Sequence, residues 1–419
     1  MKCSLLTSLS ALTILAVTGV VEAAPNRESL TQPCEMKLSL DAFRAHALAH
    51  SPLVAEIDRD YATRVAQALE TELLINPELS GFQTWTRMYV GGANDPQSEV
   101  SLSQPLRISN FGKRDKVADL IRKAGDTERG IKLLEFTQQS TVNYVRLYSL
   151  QETVRVLTQA EADVATQVAT VSKQVKEGLL SQGSEAVFQG EKARIEAQRV
   201  GTEGTLAALQ SELSMTIGTT CKVVASAAPS FAKIGPAPAL LDKARSSQMS
   251  EQTRLQVLQA LATEQTRLAE LDAFPIFAPR VVYQHTNDGG DFVGAGITVP
   301  LPLWNRNQPE ITRTTAEQEA SRRKTDIVTK GGLELQVATT HAAAVSAHRQ
   351  VEVYTSRVAP SFRAALEAEQ RAYQSGKGSI LEVWQTFRAW NEAQVTGLAL
   401  WQHAAMARAR LSIVVGEEV

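Results

Sequence analysis

The sequence predicts a mainly α-helical fold with a small β part, in which short strand pairs lead into long antiparallel helical hairpins. Three observations support this prediction. The chain contains an internal repeat, each copy holds two short segments of alternating pattern, and each copy continues into an unusually long helical stretch. Aromatic residues make up only 5% of the 419 residues, which is typical of helical rods with narrow apolar seams.

The first residues have the pattern of a secretory signal peptide. An apolar run from Leu5 to Val21 ends in small residues before Pro25. We predict that residues 1–24 are removed, with an uncleaved anchor helix as the alternative, and that residues 25–39 form an N-terminal segment. Beyond them no apolar run approaches the roughly 20 residues of a membrane helix. Any bilayer crossing is therefore expected to use strands.

The internal repeat is visible in three alignments. The aligned pairs, at offsets of 195, 198 and 198 residues, are Pro105–Asn110 with Pro300–Asn305, Leu213–Gly218 with Leu411–Gly416, and Gly178 with Gly376. The close agreement of these offsets indicates that one structural unit occurs twice in the chain. We therefore predict a first repeat at 40–218, a linker at 219–239, a second repeat at 240–416 and a short end at 417–419.

Each copy is expected to begin with a helix, which is Leu40–Leu74 in the first and Leu240–Leu271 in the second. Strand pairs follow at about 79–106 and about 280–302. The second pair alternates clearly, because apolar residues between Val293 and Leu301 fall at every other position. The turn signals of the two pairs are Gly91–Pro96 and Asn287–Gly290.

Each predicted strand has about 9 to 11 residues, the length that a tilted strand needs to cross a bilayer. Four strands per chain are too few to close a barrel, and an open sheet edge in lipid would leave backbone groups unpaired. We therefore expect a trimer whose four transmembrane β-strands per chain form a 12-stranded β-barrel.

A long helical hairpin is expected after each strand pair, at about 112–217 and about 307–415. Lys113–Glu177 contains no proline, and its about 65 residues would span roughly 100 Å as one helix. Glycines at 178–183 and 376–378 are expected to turn the chain back. Each copy would thus combine a strand pair with a helical hairpin.

The stretch from Gly296 to Gln308 contains the most specific string of the sequence. Its motif residues are Pro300, Pro302, Trp304, Asn305, Arg306, Asn307 and Gln308. Together with the tandem repeat, it resembles the TolC-like outer-membrane efflux proteins, closest to their cobalt-zinc-cadmium and nickel cation-efflux (CzcC-like) branch. Prolines end strand pairing, and Asn305 or Asn307 can cap the following helix. The motif is expected to be structural, without chemistry of its own.

The resemblance implies a TolC-like homotrimer in the outer membrane of a Gram-negative bacterium, surrounded by outer-membrane lipid, with a periplasmic α-helical tunnel. It implies partners, namely a periplasmic adaptor (membrane fusion) protein and an inner-membrane, proton-driven RND pump. The channel would passively conduct heavy-metal cations of the cobalt, nickel, zinc and cadmium class.

Other classes of function have little support in the sequence. The net charge is -2, and there is no basic stripe for nucleic acid. No phosphate loop, nucleophile elbow or paired-cysteine zinc spacing occurs. We therefore expect no enzyme activity, no cofactor and no metal site.

The resemblance also assigns roles to the two helical tips. The residues expected to contact the adaptor are Glu177, Gly178, Leu179, Ser375, Gly376 and Lys377. The alternative is that both glycines only make the turns. Glu382 falls where relatives carry an acidic residue at the periplasmic aperture, and three such carboxylates would attract cations. A solvated helix charge is the alternative for Glu382.

Cys34 and Cys221 remain after loss of the signal peptide, and an even pair in an exported protein favours a disulfide. In the TolC-like plan both fall near the middle of the tunnel, so a bond between them would fasten the N-terminal segment. Lipid attachment at Cys34 is the alternative.

Two alternative functions stay open at this stage. The same channel could serve multidrug efflux or type I secretion. The chain could also be a soluble periplasmic coiled-coil scaffold in which the strand pairs are ordinary loops, although the alternating apolar faces argue against this.

Overall fold

The computed structural model describes residues 34–84, 97–286 and 289–419. The predicted signal peptide and the predicted turn Gly91–Pro96 lie outside the described residues, as do Asn287 and Asp288 of the second turn. Glu35–Val419 forms one unit.

Most described residues belong to helices. In chain order these are α1 (Leu40–His50), α2 (Pro52–Glu72), α3 (Lys113–Lys176), α4 (Gln182–Thr216), α5 (Ala237–Ser246), α6 (Glu251–Leu271), α7 (Gln308–Ile327), α8 (Leu333–Val353), α9 (Ala359–Gln374) and α10 (Ile380–Val415). The π-helical segments Val328–Gly332 and Tyr354–Val358 join α7 to α8 and α8 to α9. Within the described part of the chain, no helix combines the length and the apolar character needed to cross a bilayer.

The strands form two sheets. They are β1 (Glu35–Leu38), β2 (Glu78–Gln83), β3 (Gln97–Ser103), β4 (Lys222–Ala225), β5 (Ala278–Thr286) and β6 (Asp291–Thr298). β1 pairs with β4 in parallel, while the other four strands form an antiparallel sheet in the order β2-β3-β5-β6. β6 ends at Thr298, short of the expected limit at residue 302, because Pro300 and Pro302 have no amide hydrogen to donate.

The long single helix expected at the start of each copy is two helices in the structure. Between α1 and α2, Ser51 accepts a hydrogen bond of 3.2 Å from the amide of Leu53 and thereby caps α2. Pro52 occupies the first turn of α2, where its fixed φ and missing N–H are tolerated. In the second copy, Ser250 caps α6 in the same way. The expected linker at 219–239 contains β4 and the start of α5.

The two halves of the chain differ in the first arm of their helical hairpins. α3 is one continuous helix of 64 residues. In the second half the same arm is divided among α7, α8 and α9 by the two π-helical segments, the first of which contains a kink at Gly331. A π-helical turn holds more residues than an α-helical turn. The repeat offset is 195 residues at Asn305 and 198 residues at Gly376, and the additional residues are therefore accommodated within this arm.

The helices lie side by side in one lateral order. Near the four-stranded sheet the contacts run α2-α3-α6-α7, and farther away they run α4-α3-α10-α8. Elements of the first half (β2, α2 and α4) lie at one edge, and elements of the second half (β6, α7 and α8) lie at the other. The sheet and the two sets of helices therefore run in the same order, from the first half of the chain at one edge to the second half at the other.

Buried apolar clusters hold this arrangement together. In one of them, Phe43 of α1 packs against Tyr144 of α3 with ring centroids 5.7 Å apart. Leu213 of α4 and Val223 of β4 belong to the same cluster. The small β1-β4 sheet is therefore anchored to the long hairpin of the first half.

Candidate functional site

One face of the four-stranded sheet is apolar and exposed. Its residues are Leu79, Val100, Leu102, Val281, Tyr283, Val293, Ala295 and Ile297. The register sets Leu79 beside Leu102, Leu102 beside Val281 and Val281 beside Ala295, so the face is continuous. Among the larger of these side chains, without Ala295, the exposed fractions range from 46% at Tyr283 to 78% at Val293. An apolar face of this kind marks a surface that is covered by lipid or by protein.

The opposite face is mainly polar. Ser80 and Ser101 share a hydrogen bond of 2.7 Å between their hydroxyls. Arg280 forms an ion pair with Glu99 in which the nitrogen and oxygen are 2.5 Å apart. The two faces therefore suit two environments, one apolar and one aqueous.

Both outer strands of this sheet have an open edge. In the described part of the chain, β2 pairs only with β3, and β6 pairs only with β5. Long exposed edges recruit further strands, because their backbone N–H and C=O groups lack partners in the sheet. The same two sides of the molecule are bounded by α2 and α4 and by α7 and α8.

The motif after β6 forms a compact turn, although the capping expected from its asparagines is absent. Asn307 occupies the N-cap position of α7 with a φ of 60°, and its side chain makes no capping hydrogen bond. Instead its Nδ2 donates to the carbonyl of Ala269 on α6, at 2.8 Å. Asn305 Oδ1 accepts from the Asn307 amide, at 3.0 Å. The capping prediction was wrong because Asn307 binds the neighbouring helix.

The remaining motif residues complete this turn. Gln308 Oε1 accepts from the amide of Arg306 at 2.9 Å, and Gln308 Nε2 donates to the carbonyl of Trp304 at 3.3 Å. Arg306 Nε donates to the carbonyl of Pro302, at 3.4 Å. Such contacts fix the direction in which α7 leaves the sheet.

A belt of exposed apolar side chains lies on the segments that connect the four-stranded sheet to the helices. Its members are Leu73, Leu74, Ile108, Phe111, Phe274, Leu301, Leu303 and Trp304. Phe111 and Trp304 are 86% and 87% exposed. Large aromatic residues are enriched where a membrane meets water. The sequence analysis missed this belt because its members come from four separate segments.

The two helical tips have the same backbone structure. Two residues after the end of α3 and of α9 stands a glycine with left-handed φ, 74° at Gly178 and 75° at Gly376. After the first, the amide of Leu179 donates to the carbonyl of Gln174, at 2.8 Å. After the second, the amide of Lys377 donates to the carbonyl of Ala372, at 2.9 Å. Both tips are therefore Schellman motifs, a turn that glycine forms without steric cost.

The side chains at the tips differ in chemistry. Leu179 of the first tip is 69% exposed, whereas the second tip carries the charged Lys377. Beneath the tips, Phe188 of α4 packs against Trp384 of α10 with centroids 5.1 Å apart. The two hairpins are thus joined by a buried aromatic contact close to their ends.

Glu382 lies in the first turn of α10 and is exposed. Its Oε2 accepts a hydrogen bond from the amide of Ser379, at 2.9 Å. The Ser379 hydroxyl accepts from the amide of Leu381, at 3.1 Å. Glu382 therefore completes a capping box. Glu382 thus stabilises the start of α10. Its role at the periplasmic aperture stays a prediction.

The predicted disulfide is consistent with the register of the small sheet. Glu35 lies opposite Lys222 in the parallel pair of β1 and β4. These residues directly follow Cys34 and Cys221 in the sequence. The pairing of the two cysteines stays a prediction.

A family model described as outer membrane efflux protein matches residues 283–417 of this chain. The match runs from β5 to the end of α10. Among curated proteins, none matches the sequence significantly.

Several solved structures share the fold. CusC has a TM-score of 0.74 and 16% identity, with 93% of this chain and 96% of that chain covered. The outer membrane protein VceC of Vibrio cholerae has a TM-score of 0.71 and 15% identity, with coverage of 90% and 96%. The MtrE outer membrane channel of Neisseria gonorrhoeae has a TM-score of 0.70 and 14% identity, with coverage of 90% and 89%. The chain has a TolC-like fold, which confirms the fold class predicted from the sequence.

Proposed function

We propose that three copies of this chain form an outer-membrane efflux channel that receives solutes in the periplasm and releases them outside the cell. The observation that carries the proposal is the four-stranded sheet, with its exposed apolar face, its polar face and its two open edges. The match of residues 283–417 to outer membrane efflux proteins supports the same function.

The apolar face explains why the sheet would lie in lipid. Side chains such as Val281 and Val293 are 56% and 78% exposed, and water around them is unfavourable by about 25 cal/mol per Å² of apolar surface. Contact with lipid tails removes that cost. The opposite face, with Glu99 and Arg280, would then line a water-filled lumen.

The open edges explain why the chain would form a closed oligomer. In a bilayer, each unpaired backbone group costs several kcal/mol. β6 of one copy can pair with β2 of the next, and three copies then close a barrel of twelve strands. Since α2 and α4 lie on the β2 side and α7 and α8 on the β6 side, the same closure would form a helical tunnel.

The tips would meet a periplasmic adaptor that connects the channel to an inner-membrane RND pump. The exposed Leu179 beside the glycine turn at Gly178 offers an apolar contact. Lys377 offers a charged contact beside the turn at Gly376. Adaptor binding would therefore use two different tip surfaces from each copy.

We infer that the exported solutes are heavy-metal cations of the cobalt, nickel, zinc and cadmium class. The support is the resemblance of residues 300–308 to the cation-efflux branch. A strain that lacks this chain should then tolerate less of these metals, and the chain supplied in trans should restore tolerance. Unchanged metal tolerance with increased sensitivity to organic compounds, or with loss of a secreted polypeptide, would assign the channel to the alternative cargo.

The sheet offers a matched pair of variants that tests the channel itself. Val281 and Val282 are neighbours of the same residue type on opposite faces. Lysine on a lipid-facing strand position costs about 2–4 kcal/mol at the bilayer midplane, whereas a lumen position tolerates charge. Val281→Lys should therefore reduce the amount of trimer in the outer membrane, while Val282→Lys should assemble and change the single-channel conductance.

The measurements are membrane fractionation, native mass of the detergent-extracted protein and conductance in planar bilayers. Equal trimer yields for the two variants would contradict the assignment of the faces. A wild-type protein that is monomeric, forms no conducting pore and appears in the soluble periplasmic fraction would instead support the scaffold hypothesis.

A further inference from the structure

A polar junction joins the two halves of the chain where the strands meet the helices. Ser109, between β3 and α3, donates a hydrogen bond of 3.0 Å to the carbonyl of Leu271, the last residue of α6. The next residue, Asp272, accepts from the guanidinium of Arg114 at 3.0 Å and also from the side-chain amide of Asn110. The segment after β3 is therefore bound to the segment before β5.

The internal repeat gives the helix side of this junction a counterpart. α2 and α6 each contain 21 residues and each follow a capping serine. Leu271, the last residue of α6, therefore corresponds to Glu72, the last residue of α2. Asp272 corresponds to Leu73, so an apolar side chain stands where the second half has a hydrogen-bonded carboxylate. Leu73 is 67% exposed, and the next residue, Leu74, is exposed as well.

The connecting segment has a counterpart as well. α3 and α7 begin at equivalent positions, 195 residues apart, which is the same offset as in the aligned stretches that precede them. Ser109 therefore corresponds to Trp304, and Arg114 corresponds to Pro309. Asn305, the counterpart of the third donor, remains polar. Two of the three donating side chains are thus replaced by apolar ones.

The two counterpart surfaces lie at opposite edges of one chain. Leu73 lies between α2 and β2, and Trp304 lies between β6 and α7. Because β2 and β6 are the outer strands of the four-stranded sheet, the width of the sheet separates these two residues. When β6 of one copy pairs with β2 of the next, the segment after β6 becomes the neighbour of the segment before β2. Within the chain, the segments after β3 and before β5 are neighbours in the same way.

We infer that Trp304 of one copy packs against Leu73 and Leu74 of the next copy. The contact rests on the proposed function, because it needs β6 and β2 of different copies to be adjacent. Leu73 and Leu74 line a cavity of about 430 Å³ together with Ile108 and Phe111. Tryptophan side chains that fill apolar recesses at the centre of an interface contribute strongly to its stability.

The replacements on the two surfaces match each other. A carboxylate at position 73 would be buried opposite Trp304 without a donor, which is unfavourable. Leucine at this position faces the indole ring instead, and both side chains lose their contact with water. The boundary between copies would therefore be an apolar version of the polar junction within the chain.

The first experiment places cysteines at the two positions. In the full-length chain with Leu73→Cys and Trp304→Cys, a short bifunctional thiol reagent should join neighbouring copies into covalent dimers and trimers on a denaturing gel. Ser109→Cys with Asp272→Cys is the matched control, since this pair should be joined within one chain and keep the mass of a single chain. Each single-cysteine variant should give no more cross-linking than the wild type, which contains the same native cysteines.

The second experiment changes the chemistry of the contact. Leu73→Asp should shift the equilibrium from trimer to monomer on the order of tenfold, because a carboxylate is buried without a partner. Adding Trp304→Ser and Pro309→Arg copies the polar junction into the boundary and should restore the wild-type trimer fraction. Leu179→Asp is the control, because Leu179 is 69% exposed at a helical tip and its replacement should leave the trimer fraction unchanged.

Native mass of the variants before cross-linking reports the oligomeric state independently. A trimer in which positions 73 and 304 do not cross-link, while the control pair reacts, would overturn the contact and leave the proposed channel intact. Trp304 would then face lipid headgroups. Loss of trimer that the triple variant does not restore would also contradict the contact. A wild-type protein that is monomeric and forms no pore would contradict the proposed channel and the contact together.

Discussion

Gln174 of α3 donates a hydrogen bond of 2.8 Å from its Nε2 to the hydroxyl of Tyr373 on α9. The two residues lie within one turn of the two helix ends, so this bond joins the tip of the first hairpin to the tip of the second. Beneath it lies the contact between Phe188 and Trp384. If the tips close the periplasmic entrance, separation of the hairpins requires this bond to break.

Tyr373→Phe should therefore make the entrance easier to open. The substitution keeps the ring but removes one hydrogen bond, worth about 1 kcal/mol, which corresponds to a roughly fivefold shift between closed and open tips. Single-channel recordings should show more frequent or larger openings than in the wild type. Ser375→Ala is the control, because the Ser375 hydroxyl donates to the carbonyl of Ala372 in the last turn of the same hairpin and does not join the two hairpins in the described part of the chain. Identical recordings for Tyr373→Phe and the wild type would show that the hydrogen bond between Gln174 and Tyr373 does not hold the entrance closed.

Glu382 allows its charge to be separated from its capping role. Glu382→Gln retains an acceptor for the Ser379 amide, so the capping box is kept while the carboxylate charge is lost. If Glu382 lines the aperture, the preference of the channel for cations over anions should fall in a salt gradient. Glu382→Ala should show the same loss and in addition destabilise the start of α10 by about 0.5–1.5 kcal/mol, the net contribution of one hydrogen bond. An unchanged reversal potential in Glu382→Gln would leave only the capping role.

The glycines at the tips should not tolerate a side chain. Gly178→Ala and Gly376→Ala force alanine into a left-handed φ, which costs about 1–2 kcal/mol per residue. Since nothing lies within 4 Å of an added Cβ at either position, the loss comes from the backbone alone. Adaptor binding by the detergent-extracted protein should weaken.

Gly190→Ala is the control for these two variants, because it also adds a methyl group into open space but lies within the helix α4. It should leave adaptor binding unchanged and stabilise the helix by up to about 1 kcal/mol. Full adaptor affinity in both tip variants would indicate that the two glycines only make the turns.

The predicted disulfide can be tested by mass. Cys34 and Cys221 should accept an alkylating reagent in the unfolded protein only after reduction. In the chain-entropy description, a bond that closes a loop of more than 100 residues contributes about 4–5 kcal/mol. Reduction, or Cys221→Ser, should accordingly lower the midpoint of thermal unfolding. Alkylation of both cysteines without a reductant would rule out the bond, and a lipid adduct on Cys34 would favour the alternative.

The sequence by itself determined the fold class, because that class depends on local patterns. Period-two alternation around Val293 specifies a two-faced strand, and a long stretch without proline specifies a helix such as α3. The tip glycines could be located because a left-handed C-terminal turn requires a residue without a Cβ. The sequence also contains the serines that cap α2 and α6, Ser51 and Ser250. The breaks before these helices were not predicted, because the residues on both sides keep a helical spacing.

Only the tertiary structure decided which partners the polar side chains choose. Asn307 donates to Ala269 of α6 instead of capping α7, since packing brings that carbonyl within reach. Gln174 meets Tyr373 for the same reason, although about 200 residues separate them in the chain. Such contacts depend on the order in which the helices pack side by side. That order results from the burial of many apolar side chains together, and no short stretch of sequence predicts it.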